Sequence, residues 1–176
     1  MFIECREALK DCLKQCGAAG NMHTSRKKLK SSNESRVFAV LFEDDGLAKN
    51  KSKRTYIDAD GKHKRRKKFD RDLTFNVVIG EYDIEKVQKI YDKFLENIPD
   101  GIYVKGSYVE IEPVAADWMD DEDTIIRAKC AVQIKVICKG GVYEDTDFAK
   151  AGSVGLTVNR KEIEDAEKRN REPEPR

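Results

Sequence analysis

Over residues 63–79 the chain changes character within what reads as a single strand. Leu73, Phe75, Val77 and Ile79 alternate with Thr74 and Asn76, the period-two pattern of a strand with one face on a core. Directly upstream, His63-Lys64-Arg65-Arg66-Lys67-Lys68 offers no apolar face. Burying charge without partners is prohibitively costly. Such a strand is therefore expected to pack on its own domain over one half only. The other half faces solvent, a partner subunit or DNA. Asp60-Gly61, a turn in which both positions favour positive φ, joins it to residues 54–59. The unit reads as a long hairpin, apolar at its base and charged towards a tip projecting into solvent.

Around this hairpin the remaining pattern is mixed. Phe2, Cys5, Leu9, Cys12 and Cys16 recur at helical steps, and Gly17 and Gly20 end that helix. Residues 21–35 are polar and basic and read as a loop. Residues 37–42, VFAVLF, form an unbroken apolar run that suits a central strand buried on both faces, closed by Glu43-Asp44-Asp45-Gly46. Asp83 is placed to cap a second helix whose stripe is Ile84, Val87, Ile90, Tyr91, Phe94, Leu95 and Ile98. Residues 102–104 and 108–112 form a hairpin about Lys105-Gly106-Ser107. Residues 124–138 make the last long strand, ending at Gly140-Gly141. Two one-sided helices over strands joined by hairpins define an α+β fold: an antiparallel or mixed sheet with both helices on one face. The expected organisation is one domain over residues 1–158 and a polar tail over 159–176, with a short solvated helix at 162–169.

The balance of charge narrows the function. Charged residues make up 38% of the chain, yet 34 Lys and Arg stand against 33 Asp and Glu. An electrostatic role must come from local asymmetry. Residues 1–7 carry charge where a signal peptide needs an apolar stretch, and no window approaches the ~18 apolar residues of a membrane span. A chain that folds in the cytoplasm is expected, with its five cysteines acting as small buried hydrophobes; Cys130 and Cys138 share strand parity with Val132, Ile134 and Val136. With two histidines, His23 and His63, and none of the common nucleophile, phosphate-loop, dinucleotide or zinc-protease motifs, neither an enzyme nor a cofactor is expected.

Two segments stand out. Between Lys49 and Arg71 eleven basic residues are opposed only by Asp58, Asp60 and Asp70. The candidate contact residues are Lys53, Arg54, Lys64, Arg65, Arg66, Lys67, Lys68 and Arg71, with the run from Arg65 to Lys68 as the main charges. Three readings stand: a sequence-blind contact with nucleic-acid backbone, a charged arm reaching an acidic patch on a neighbouring subunit, or a solvated edge. No aromatic interleaving accompanies the run. The second segment is an acidic loop over residues 117–123, with Asp117, Asp120, Asp121 and Asp123 around the only tryptophan, Trp118. Its carboxylates suit a hard cation but lack the D-x-D-x-D-G order of an EF-hand loop. The loop otherwise faces solvent or a basic partner, and Trp118 either anchors that partner or packs on its own domain.

The order of these elements resembles the tail terminator or tail-completion (head–tail joining) proteins of long-tailed bacteriophages. The resemblance rests on VFAVLFED at 37–44, on Arg71, Leu73, Phe75, Val77 and Ile79, on FLENIP at 94–99, YVEIEP at 108–113 and GGVY at 140–143. It covers roughly residues 2–145. It implies a virion protein without catalysis, assembled as a ring, commonly a hexamer. Such a ring caps the tail tube and joins it to the head connector, with DNA passing through its channel. Self, the tube protein and a connector or neck protein are the implied partners. A rival from another class is a sequence-independent nucleic-acid-binding protein using residues 49–71. A third is a small enzyme with an acidic metal site.

Overall fold

The computed structural model describes residues 1–32, 36–59, 61–119 and 130–148. The chain divides into two compact units, Met1–Thr146 and Asp147–Arg176, and the architecture below is that of the first. The expected boundary at residue 158 and the 159–176 tail lie outside the described residues.

Among the described residues, three helices and seven strands follow one another as α1 (Phe2–Gln15), β1 (Met22–His23), α2 (Arg26–Ser31), β2 (Val37–Lys49), β3 (Lys53–Asp58), β4 (Gly61–Glu81), α3 (Ile84–Asn97), β5 (Gly101–Val104), β6 (Ser107–Met119) and β7 (Cys130–Asp147). The strands form one mixed sheet in the order β1-β2-β4-β7-β6-β5, with β3 also on β4. The β1–β2 pair is parallel, and β2–β4, β3–β4, β5–β6 and β6–β7 are antiparallel. This is the α+β class expected, with α1 and α3 on one core. Among the described residues no helix is long and apolar enough to cross a membrane.

The main core follows from alternation. Leu73, Phe75, Val77 and Ile79 of β4 meet Val132, Ile134, Val136 and Cys138 of β7, under Leu9 and Leu13 of α1 and Val87 and Phe94 of α3. Phe2, Phe42 and Phe75 interlock with centroids 5.1–5.9 Å apart, seating the start of α1 on the sheet. The Asp83 carboxylate accepts the Glu85 N–H at 3.0 Å and caps α3. All five cysteines are buried and free. The Cys12 thiol is pushed up to about 12 by burial, so it is an apolar filler at neutral pH.

Several expectations need correction. Residues 21–35 are not merely a loop: β1 and α2 form there, and Leu29 of α2 packs with Val37, Ala39, Leu41 and Val78 in a second cluster. That cluster is why 37–41 is buried on both faces. A two-residue strand and a helix with one apolar side chain have no periodicity to read. The stretch 43–46 does not end β2. The register slips by one between Phe42 and Asp44 and the strand continues to Lys49, a bulge absorbing the polar residues. In the same way β7 runs through Gly140-Gly141 to Asp147; its expected residues 124–129 lie outside those described. In α3, Ile84 and Leu95 are exposed, because a seven-residue stripe is wider than the face one sheet covers.

Phe94→Ala is expected to cost about 3–5 kcal/mol in denaturant unfolding, the scale for a buried aromatic. Leu95→Ala, one position away on the exposed side, should cost less than about 1 kcal/mol. Equal losses from the two would contradict this core.

Candidate functional site

The basic arm is built by prolonging two strands past the core. β2 and β3 lie end to end along β4, which pairs with β2 over residues 69–80 and with β3 over 61–66. At the join, Asn50 N–H donates to the Lys68 carbonyl at 2.9 Å and Lys67 N–H to the Ser52 carbonyl at 3.0 Å. The Asn50 side chain accepts from Ser52 N–H at 2.8 Å and donates to the Asp70 carboxylate, a local Asx turn that steps the chain from one strand to the next. On the other side β4 lies against β7. Their contacts run in opposite directions, from Cys130 beside Glu81 to Asp145 beside Arg65.

The arm's charges divide by parity. Lys62, Lys64, Arg66 and Lys68 are exposed, whereas His63, Arg65 and Lys67 are half-buried. Arg65 holds the arm to the domain. Its Nε and Nη2 donate to the two Asp145 oxygens at 2.7 Å each, and Nη1 donates to the Gly106 carbonyl and the Ser107 hydroxyl at 3.2 Å. Its guanidinium lies 5.0 Å from the Tyr56 ring and 5.8 Å from Tyr143. These hydrogen bonds to Asp145 raise the Arg65 pKa and hold the Asp145 carboxyl below its ordinary value. Lys67 pairs with Asp70 at 2.6 Å and crosses Gly141, where a side chain would collide with it and with the Phe69 carbonyl. Arg71 forks onto Asp45 and lowers its pKa.

The eight predicted arm residues are thus two groups. Arg65, Lys67 and Arg71 are committed to carboxylates of their own domain, which corrects the expectation that the whole charged half faces outward. Lys53, Arg54, Lys64 and Arg66 are exposed, and Lys68 is exposed while lying 3.5 Å from Glu144. Sequence reasoning missed the acids on β7 because partners some eighty residues apart leave no local pattern.

The topology also supplies the aromatic interleaving that the linear sequence lacks. A cleft of about 700 Å³ opens between the arm and the β5–β6 hairpin, lined by Lys53, Arg54, Arg65 and Lys67 and by four tyrosines. Lys105 and Gly106 both have positive φ, so a two-residue turn sets Tyr103 opposite Tyr108. Their rings meet edge to face at 5.4 Å. They lie on the hairpin face opposite Ile102, Val104, Val109 and Ile111, which pack in the core. Tyr56 stacks on His63 at 5.2 Å, and Tyr143 closes the cleft from β7. The hairpin register was the signal for the Tyr103–Tyr108 pair; Tyr143 had none.

The acidic segment is only partly a loop. Asp117 and Trp118 belong to β6, while Asp120, Asp121 and Asp123 lie outside the described residues. Trp118 meets Tyr91 of α3 edge-on at 5.5 Å and is still 43% exposed. It packs on its own domain and presents a face to solvent. Among the described residues no group of three or more His, Cys, Asp or Glu side chains is placed to hold a metal ion.

Replacing Arg65 with Gln should cost about 1–2 kcal/mol, the low part of the range for charged hydrogen bonds because Asp145 is nearly half exposed. The pH dependence has a definite sign. A carboxyl with a lowered folded pKa contributes stability that is present above its unfolded value of about 3.9 and lost as pH falls through the folded value. Urea unfolding between pH 5 and 2 should therefore show a shallower acid loss in Arg65→Gln than in the wild type. An unchanged slope would remove the pair from the arm's support.

No family model matches the chain, and no curated protein matches it. Among solved structures, the sheath/tube terminator of an extracellular contractile injection system (PVC), in its extended state, is similar with a TM-score of 0.47 at 9% identity, over 99% of this chain and 73% of that chain.

Proposed function

We propose that this chain is a structural subunit of the tail-terminator kind, which assembles head to tail into a ring, caps a phage tail tube and joins it to the head connector. Its role is contact, not catalysis. The observation that carries the reading is the exposed cationic row on the outer face of the arm. Lys62, Lys64, Arg66 and Lys68 recur on alternate positions of β4, about 6.6–6.8 Å apart along a strand. The reverse face of that strand is pinned to β7 by Arg65. A row ordered before contact loses little conformational entropy on binding. All four are exposed, and Lys68 lies 3.5 Å from Glu144 of β7.

The resemblance to tail terminators supports this kind of assembly, and a heterologous contact supplies its closure. The outer row of one subunit meets the acidic segment beginning at Asp117 on the next. The ring is a hexamer within the virion, with tube and connector proteins on its two sides.

The test is oligomeric mass by light scattering, with negative-stain microscopy. The wild-type chain should form closed rings that weaken as salt shortens the reach of exposed charges below about 8–10 Å. The triple reversal Lys62→Glu, Lys64→Glu, Arg66→Glu should melt like the wild type yet remain monomeric. A wild type that stays monomeric at high concentration, or normal rings from the reversed variant, would overturn the reading.

A further inference from the structure

We infer that the tyrosine-lined cleft between the arm and the β5–β6 hairpin is a binding site for single-stranded nucleic acid. It is distinct from the outer cationic row and does not depend on ring assembly. Its chemistry is aromatic and cationic together. Arg65 and Lys67 are already neutralised by Asp145 and Asp70. Lys53 and Arg54 enter no ion pair among the described residues; Arg54, opposite Arg65 in the β3–β4 register, gives the cleft face an uncommitted cation, with Lys53 beside it at the rim. The opposite wall is the Tyr103–Tyr108 pair. Tyr103 is 78% exposed, and edge-to-face packing on one neighbour leaves a ring face open.

This composition discriminates among anionic ligands. A duplex offers phosphates but keeps its bases stacked inside, so it has no free base face to lay on the tyrosines. An acidic peptide segment gains from Lys53 and Arg54 but has no flat π-face to lay on the rings. A single strand uses both, with phosphates on the cations and unstacked bases on the tyrosines. Stacking is tolerant of base identity, so little sequence preference is expected. Arg65 orders this surface, its guanidinium lying against the Tyr56 and Tyr143 rings, and the open ring face is that of Tyr103.

Tyr103 is the residue to change. The Tyr108 ring, by contrast, lies against Gly101, where no side chain fits, and is part of the hairpin's own packing. Binding of the full chain is measured by fluorescence anisotropy with a labelled oligo-dT of about 20 nucleotides, a duplex of the same length, and a poly-Glu peptide as competitor. The oligo-dT should bind more tightly than the duplex, with log K falling by about 0.7 per log unit of salt for each phosphate contacted. Tyr103→Leu should weaken it about tenfold with the melting curve unchanged. Tyr103→Phe should retain binding, because the ring suffices. Arg54→Gln should weaken binding and flatten the salt slope by about 0.7.

Equal affinity for the duplex, or loss of binding in Lys64→Glu/Arg66→Glu but not in Tyr103→Leu, would reduce the contact to backbone electrostatics on the outer row and overturn the proposal. Displacement by poly-Glu at lower concentration than by oligo-dT would reassign the cleft to an acidic protein segment. Absence of binding at low salt overturns it outright. Ring mass measured on the same Tyr103→Leu protein should match the wild type, which separates this failure from a failure of the ring reading.

Discussion

A strand that is apolar over one half and cationic over the other can stay a single straight element only if its charged half is also held from the side. In β4 that restraint is the Arg65 fork on Asp145, with Gly106 and Ser107 accepting from its third nitrogen. Without it, the adjacent basic residues from Lys64 to Lys68 would lose their side-chain tie to β7 and to the β5–β6 turn, leaving backbone pairing alone to hold the arm. With it, β7 is drawn past the core to Asp147 and the β5–β6 turn is fixed to the arm. The fork ties the arm to the strand and the turn on the far side of the cleft.

The same parity rule separates two surfaces on one strand. Odd positions 63, 65 and 67 turn towards tyrosines and carboxylates of the domain, and even positions from 62 to 68 turn to solvent. Replacing Arg65 or Lys67 is therefore a change in stability first, whereas replacing Lys64 or Arg66 is a change in surface. Treating the run from Arg65 to Lys68 as one charge cluster mixes the two.

Much of the fold was legible. The alternation of Leu73, Phe75, Val77 and Ile79, the Asp83 cap and the VFAVLF run each placed an element correctly, because each is a local pattern enforced by burial or by a terminal hydrogen bond. Bulges defeated the reading of ends. At Phe42/Asp44 one extra residue lets β2 continue through acids that look like a turn, and a register slip leaves no compositional mark. The helix α2 was hidden for the opposite reason: Leu29 alone buries, and a single apolar residue has no period.

Local pattern along the chain is enough to give the kind of surface: an arm dense in cations, apolar at its base, on an α+β domain whose two longer helices each have one apolar stripe. Which of those cations are available follows from the fold. Charge and spacing are properties of the chain, but neutralisation depends on partners brought from far along it, such as Asp145 to Arg65. The Tyr103–Tyr108 pair similarly becomes a wall only when the sheet sets the β5–β6 hairpin beside the arm. Pairings over such separations are written in strand order and register, which local pattern does not encode.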